Sequence, residues 1–179
     1  KLHYSFMNSE KLKKHMRCLF TYGGMYLVCN SNLLYHASVP LNEDGSFKRV
    51  NIRGKEYWGK KLMDKIDQLI RTAYFDEDGD EEKLFAMDYI WCGPDAPSFD
   101  KDKMATFERY FIADKALHKE KKGYYYTLRD NEKICDRILE EFGVTGVHTH
   151  IINGHVPVKT IKGEQPMKAG GKLLVIDGG

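Results

Sequence analysis

The chain has 179 residues, of which 42% are hydrophobic and 30% are charged, so its composition is that of one folded domain and not of a disordered segment. The 28 Lys and Arg residues against 26 Asp and Glu leave a formal net charge of +2, too small to attract nucleic acid or an anionic membrane through a bulk field. The small net charge therefore predicts no nucleic-acid partner. Widely spaced cysteines predict reduced thiols and a cytoplasmic location. No apolar run is long enough to predict a membrane-spanning segment.

The amino-terminal part of the sequence predicts a helix followed by a hairpin. Apolar side chains recur at helical spacing after Ser9, which is a good capping residue, and they indicate a helix over residues 9–22. Two short apolar runs, 25–29 and 32–37, flank a turn-rich tripeptide. We therefore predict a β-hairpin that ends at His36.

The next stretch contains turn signals and the strongest helical pattern of the sequence. A turn is predicted at residues 42–45, followed by an exposed strand over 47–54 that returns to the edge of the same sheet. The apolar residues from Trp58 to Ala73 lie on one face of a helix. The acidic stretch 76–82 does not follow the order of a calcium-binding loop, which favours a solvated turn.

The carboxyl-terminal part predicts two helices and two buried strands. Apolar spacing indicates helices over 102–119 and near 134–142, the second stopped by a glycine. The tyrosine run 124–126 is more typical of a packed or interface strand than of a sugar-binding platform. Buried strands are predicted within 148–153 and 172–177, each followed by glycines.

Two of the histidines stand at predicted strand ends. His36 ends an apolar run and precedes small residues and a proline, and His155 follows Gly154. Strand ends are where α/β proteins place functional groups. On spacing alone, a hydrogen-bonded structural histidine is the more common outcome. His148 and His150 form an H-x-H pair that points to one face of a strand, but two histidines without a third ligand are weak evidence for a metal.

Three segments of the sequence carry a family resemblance: NLLYHASVPLNEDG, MATFERYFIADKALHKEKK, and HIINGHVPVK with GEQPMKAGGKLLVIDGG. Together with their spacers they resemble the class III fructose-1,6-bisphosphatases, a branch of the calcineurin-like metallophosphoesterase superfamily. The resemblance implies an α/β fold that is part of a four-layer α/β/β/α sandwich. It also implies that residues 1–179 are the C-terminal portion of one such domain, with the upstream half absent.

The resemblance implies ligands for a pair of divalent metals. The H-A-S-V-P motif corresponds to a metal-binding histidine, which is His36 here, and the N-G-H-V-P motif implies the same for His155. The early G-D-x-x-D-R-G and G-N-H-E motifs of the superfamily do not occur in these residues. The catalytic groups, and the remaining metal ligands, are therefore expected in the missing upstream half.

Four further residues are weaker candidates for the site. Asp177 and His150 are candidates to orient the ligand imidazoles, and a structural turn role for Asp177 is an equal alternative. Arg109 and Lys159 are candidates for substrate phosphate contacts, because Arg and Lys bind phosphate oxygens. Arg109 has the alternative of covering the core or pairing with Glu108.

The implied activity is hydrolysis of fructose 1,6-bisphosphate to fructose 6-phosphate and phosphate, in gluconeogenesis, by a hydroxide that two metals activate. Mn²⁺ is the expected metal. The expected partners are the sugar bisphosphate and the upstream half, without which the chain is expected to be inactive; a homo-oligomer is left open. The alternatives are another phosphoester hydrolase, acting on a dinucleoside polyphosphate or a phosphoprotein, and a non-catalytic regulatory or assembly role.

Overall fold

The computed structural model describes residues 1–76 and 81–177, without the side chains of residues 82 and 83. Most of the predicted acidic turn at 76–82 lies outside the described residues. In the described part of the chain, no helix combines the length and the apolar character needed to cross a membrane.

The described residues form a mixed α/β fold. The α-helices are α1 Leu2–Met7, α2 Glu10–Tyr22, α3 Gly59–Phe75, α4 Glu81–Cys92, α5 Thr106–Phe111, α6 Tyr125–Leu128 and α7 Glu132–Glu141. The strands are β1 Tyr26–Cys29, β2 Asn32–Tyr35, β3 Val50–Ile52, β4 Lys55–Tyr57, β5 His150–Asn153, β6 Met167–Lys168 and β7 Leu173–Val175.

The main sheet has five strands in the order β1-β2-β5-β7-β6. Its three central strands are parallel, and an antiparallel strand flanks them on each side. The predicted hairpin is confirmed as β1 and β2. Its turn residues Asn30 and Ser31 both have positive φ, 49° and 62°, which matches the twist of the flanking strands.

Among the described residues, helices pack against only one of the two faces of this sheet. Leu33, Ile151 and Leu173 are paired across the three parallel strands, are fully buried, and pack in one cluster with α7 residues. Because successive side chains alternate, Leu34 and Ile152 point to the other face, where both are only half-buried. Helices therefore cover one face, while the other lines an open groove in the described structure.

A second, smaller core lies between α3 and the β3–β4 hairpin, with Ile52 and Ile66 at its centre. The predicted strand over 47–54 therefore does not return to the main sheet, and that prediction is wrong. The reason is local. Arg53 and Gly54 have positive φ, 53° and 77°, so the chain turns at once and pairs β3 with the next three-residue strand.

The three clearest helix predictions are confirmed as α2, α3 and α7. The Ser9 hydroxyl accepts a hydrogen bond from the N–H of Leu12 at 3.3 Å and so begins α2. The Asn131 side chain accepts from the N–H of Lys133 at 3.0 Å and begins α7. Gly143, with φ of 72°, follows the end of α7.

The predicted helix over 102–119 is too long, since only α5 is helical in that range. After Ile112 the chain turns back, which brings Glu120 to the amino end of α5. There a Glu120 carboxylate oxygen accepts from the N–H of Ala105 at 3.0 Å. The chain after Ile112 therefore folds back to make this hydrogen bond instead of continuing the helix that the apolar spacing predicted.

Two further differences concern α6 and α4. The tyrosine run forms no strand, because Tyr125 begins α6 and is fully buried. Helix α4 has apolar residues all around its axis, so its sequence lacks the one-sided pattern that identifies a helix.

Candidate metal-binding site

The carboxyl ends of the three parallel strands bring together three of the predicted site residues. His36 directly follows β2, His155 comes two residues after β5, and Asp177 comes two residues after β7. Because parallel strands end at the same edge of a sheet, these residues share one edge.

The two imidazole rings of His36 and His155 are in contact. His36 Nε2 lies 3.1 Å from His155 Nδ1, and the ring centroids are 5.0 Å apart with a 68° angle between the planes. The N–H of Gly154 donates to the carbonyl of His36 at 2.9 Å, which ties the two loops together. His155 has a φ of 66°, a left-handed conformation that few non-glycine residues adopt.

The environment of His155 favours its neutral form. Burial lowers the pKa of His155, and the neighbouring His36 and the Lys101 ammonium lower it further, while Asp177 opposes them. A neutral imidazole is the form that binds a metal ion.

The spacing of the two histidine nitrogens fits a divalent metal. Two nitrogen ligands of one ion, each at about 2.1 Å, are separated by roughly 3.0–3.4 Å, and the imidazole nitrogens lie 3.1 Å apart. The other ring nitrogen of His155, Nε2, is buried and has no hydrogen-bond partner in the described structure, but an ion bound to Nδ1 cannot also bind Nε2 of the same ring. Among the described residues, however, no group of three or more His, Cys, Asp and Glu side chains is arranged to hold a metal. A metal held by this pair would therefore need further ligands from outside the described residues.

Asp177 lies next to the loop that carries His155. Its backbone carbonyl accepts from the N–H of Val158 at 2.9 Å, and its carboxylate Oδ2 is 3.9 Å from the place that a Cβ on Gly154 would occupy. The carboxylate therefore lies beside the residue that precedes His155, close enough to influence the charge of that imidazole.

The structure does not bring His150 to the histidine pair. His150 is exposed and begins β5, opposite Asn32, so it lies at the other end of the strand, about 10 Å from the site. The N–H of Lys159 donates to Glu164 at 3.1 Å at the start of a 3₁₀ turn. The phosphate contact of the Lys159 side chain stays a prediction.

A cavity of about 570 Å³ opens beside the histidine pair. Its volume lies in the range of small-molecule sites, about 300–1,000 Å³. The predicted Arg109 lines this cavity, and it is 3.5 Å from Glu120 instead of pairing with Glu108. The cavity also contains Lys101, which the sequence did not single out. Apolar side chains complete the wall: Ile90, Trp91, Phe99 and Met104.

The fold and the site define a mixed α/β chain that presents a histidine pair at the carboxyl edge of its sheet. The chain belongs to the Firmicute fructose-1,6-bisphosphatase family, whose model matches residues 1–179.

Relatives support this assignment over the whole chain. A fructose-1,6-bisphosphatase class 3 of Bacteroides fragilis is 90% identical over 182 aligned residues, and that of Bacteroides thetaiotaomicron is 81% identical over the same length. The corresponding protein of Clostridium tetani is 58% identical. All three alignments cover 100% of this chain but only 27% or 28% of the relative, so the chain spans about a quarter of the length of its curated relatives. No solved structure matched the chain.

Proposed function

We propose that the complete protein hydrolyses fructose 1,6-bisphosphate to fructose 6-phosphate and phosphate in gluconeogenesis, and that this chain supplies His36 and His155 as metal ligands. The contact between His36 Nε2 and His155 Nδ1 at 3.1 Å carries the structural part of the proposal. Family membership and the names of the relatives support the substrate. We further propose Mn²⁺ as the metal and the cytoplasm as the location.

Each residue at the sheet edge has a role in this proposal. His36 and His155 hold the metal through neutral imidazole nitrogens. Asp177, beside Gly154, influences the charge and orientation of the His155 imidazole. Arg109 binds phosphate oxygens at the mouth of the cavity. When bound, a pair of divalent ions supplies Lewis acidity toward phosphate oxygens and toward water. The other metal ligands and the catalytic groups are expected outside these residues, so this chain alone is expected to be inactive.

The uncovered face of the main sheet supports a four-layer sandwich in the complete protein. Leu34 and Ile152 line an open groove of about 800 Å³ on that face, and Ile176 is 67% exposed. An apolar sheet face requires a covering layer to exclude water. We propose that a second sheet, from the part of the protein outside these residues, covers it, and that residues 1–179 form the C-terminal portion of that one domain.

The test uses the complete protein, prepared with Mn²⁺. We expect phosphate release from fructose 1,6-bisphosphate, and at least about 100-fold slower release by His36→Ala and His155→Ala, each with reduced bound manganese. His150→Ala is the matched control, because it removes an imidazole from the opposite end of β5, and it should retain activity and metal.

Three outcomes would contradict the proposal. Full metal content in both histidine variants would contradict the assignment of His36 and His155 as metal ligands. A wild-type protein that binds manganese but releases no phosphate from fructose 1,6-bisphosphate would contradict the proposed substrate. Faster hydrolysis of a dinucleoside polyphosphate or a phosphoprotein would point to another phosphoester hydrolase.

A further inference from the structure

Lys101 is held in the wall of the cavity beside the histidine pair. Its side chain is only 20% exposed, and its Nζ donates to Glu120 Oε2 at 3.0 Å. The same Nζ lies 5.3 Å from the centroid of the Phe99 ring. The Phe99 ring packs against the ring of His155, with centroids 6.2 Å apart. A single aromatic ring thus lies between the Lys101 ammonium and His155.

The backbone around Lys101 is fixed by a short antiparallel bridge. Lys101 pairs with Lys122, and the N–H of Asp102 donates to the carbonyl of Lys121 at 2.9 Å. On the other side, the N–H of Gly123 donates to the carbonyl of Asp100 at 2.8 Å. The ammonium group is therefore presented from a constrained segment and not from a free loop.

Glu120 faces two cations of the cavity. Its Oε2 accepts from Lys101, and its Oε1 lies 3.5 Å from Arg109 Nη2 and accepts from the N–H of Ala105. Burial raises the pKa of Glu120, but the Ala105 N–H and the Lys101 ammonium outweigh burial and lower the pKa overall. One carboxylate shared by two cations leaves a net positive charge in the cavity wall.

Building on the proposed function, we propose that Lys101 binds a phosphate group of the substrate together with Arg109, and that Glu120 is the positioning residue for both cations. Glu120 occupies one of the three donors of the ammonium group, which leaves donors for phosphate oxygens. Lys101 lies inside the cavity, whereas the Arg109 side chain is 56% exposed. The two cations therefore approach an anion from the interior and from the rim.

The test compares variants of the complete protein with two readouts: steady-state kinetics on fructose 1,6-bisphosphate, and calorimetric binding of inorganic phosphate. For Lys101→Gln we expect KM and the phosphate Kd to rise about 10- to 100-fold, the size of one lost hydrogen bond to a charged group, while kcat changes less than about threefold. Lys101→Arg should recover most of both losses, because it keeps the charge. Glu120→Gln should raise KM less than Lys101→Gln. Lys103→Gln is the matched control, since the Lys103 ammonium donates to the carbonyl of Leu117 at 2.9 Å and Lys103 is not among the residues that line the cavity.

Phosphate binding separates this inference from the proposed function. A wild-type protein that binds phosphate through Lys101 but does not hydrolyse fructose 1,6-bisphosphate supports the anion site and contradicts the sugar substrate. The anion site is overturned if Lys101→Gln matches Lys103→Gln in both readouts, or if the wild type binds no phosphate. It is also overturned if Lys101→Gln lowers the melting temperature and Lys101→Arg restores that temperature without restoring phosphate affinity.

Discussion

The hydroxyl groups of Tyr35 and Tyr125 lie 2.8 Å apart in the core, directly beneath the strand ends that carry the histidine pair. Asn153 Nδ2 joins them, since it donates to the Tyr125 hydroxyl at 2.9 Å and to the carbonyl of Ala37 at 2.8 Å. Tyr35 precedes His36, and Asn153 lies two residues before His155. The network therefore ties both histidine loops to α6.

The substitution Tyr125→Phe should measure how much this hydrogen-bond network contributes to the stability of the protein. The change leaves Tyr35 and Asn153 with unmet hydrogen bonds in the core, so we expect a loss of about 1–3 kcal/mol in the free energy of unfolding. Tyr126→Phe is the matched control, because the Tyr126 hydroxyl is buried without a partner in the described structure and should cost little. Chemical denaturation of the complete protein measures both. Equal losses for the two variants would contradict the network.

The open sheet face predicts an unequal effect at two exposed isoleucines. Ile176, 67% exposed, borders the groove that we propose is covered, whereas Ile161 is 99% exposed on a 3₁₀ turn. A charge at a covered position is costly, so Ile176→Glu should destabilise the complete protein by about 2–4 kcal/mol. Ile161→Glu should change its stability by less than about 0.5 kcal/mol. Thermal unfolding distinguishes them, and a neutral Ile176→Glu would argue against a covering layer.

Asp100 should make stability depend on pH in a defined window. Burial raises the pKa of the Asp100 carboxyl from 3.8 to about 6, with Ser38 opposing the rise. The folded protein therefore keeps a proton that the unfolded chain releases near pH 4, and it loses stability as the pH rises toward about 6.

Asp100→Asn does not ionise, so it isolates this contribution. The stability of the variant relative to wild type should increase by up to about 3 kcal/mol between pH 4 and pH 7. Denaturation curves at several pH values measure the difference, with the exposed Asp102→Asn as control. A difference that stays constant across this range would show that Asp100 titrates normally.

The cysteines should differ in reactivity. Burial raises the pKa of the Cys135 thiol to about 12, and its Sγ donates to the carbonyl of Arg129 at 3.3 Å, whereas Cys18 is exposed. Because the thiolate is the reactive form, Cys135 should react with iodoacetamide at pH 8 at least about 100-fold more slowly than Cys18. In denaturant the two rates should converge. Mass spectrometry of timed samples gives both rates, and fast labelling of native Cys135 would contradict its burial.

The positions of the two histidines were predictable from local sequence. An apolar run followed by small residues and a proline places His36 directly after β2, and a glycine follows β5 before His155. Strand order follows from no such local signal, yet the contact between the imidazoles depends on β2 and β5 being neighbours. Local sequence therefore predicted the strand-end positions of both residues, while their 3.1 Å contact required the fold.

The rest of the cavity depends on tertiary contacts that no periodicity encodes. Lys101 lies in a lysine-rich stretch without a motif, and only its bridge to Lys122 and its contact with Glu120 place it in the wall. The bond from the Ala105 N–H to Glu120 likewise accompanies the short α5 where apolar spacing alone indicated a longer helix. The pairing of β3 was mispredicted for another reason, because Arg53 adopts a positive φ that its residue type disfavours.

The contact between His36 and His155 joins residues 119 positions apart. Parallel pairing of β2 with β5 closes a loop of this length, and such closures are entropically costly and slow compared with the local hairpin of β1 and β2. The two imidazoles consequently meet only after most of the intervening chain has collapsed. During synthesis on the ribosome, the nascent chain has no histidine pair until β5 emerges, so the metal binding that we propose for these residues can begin only after that point.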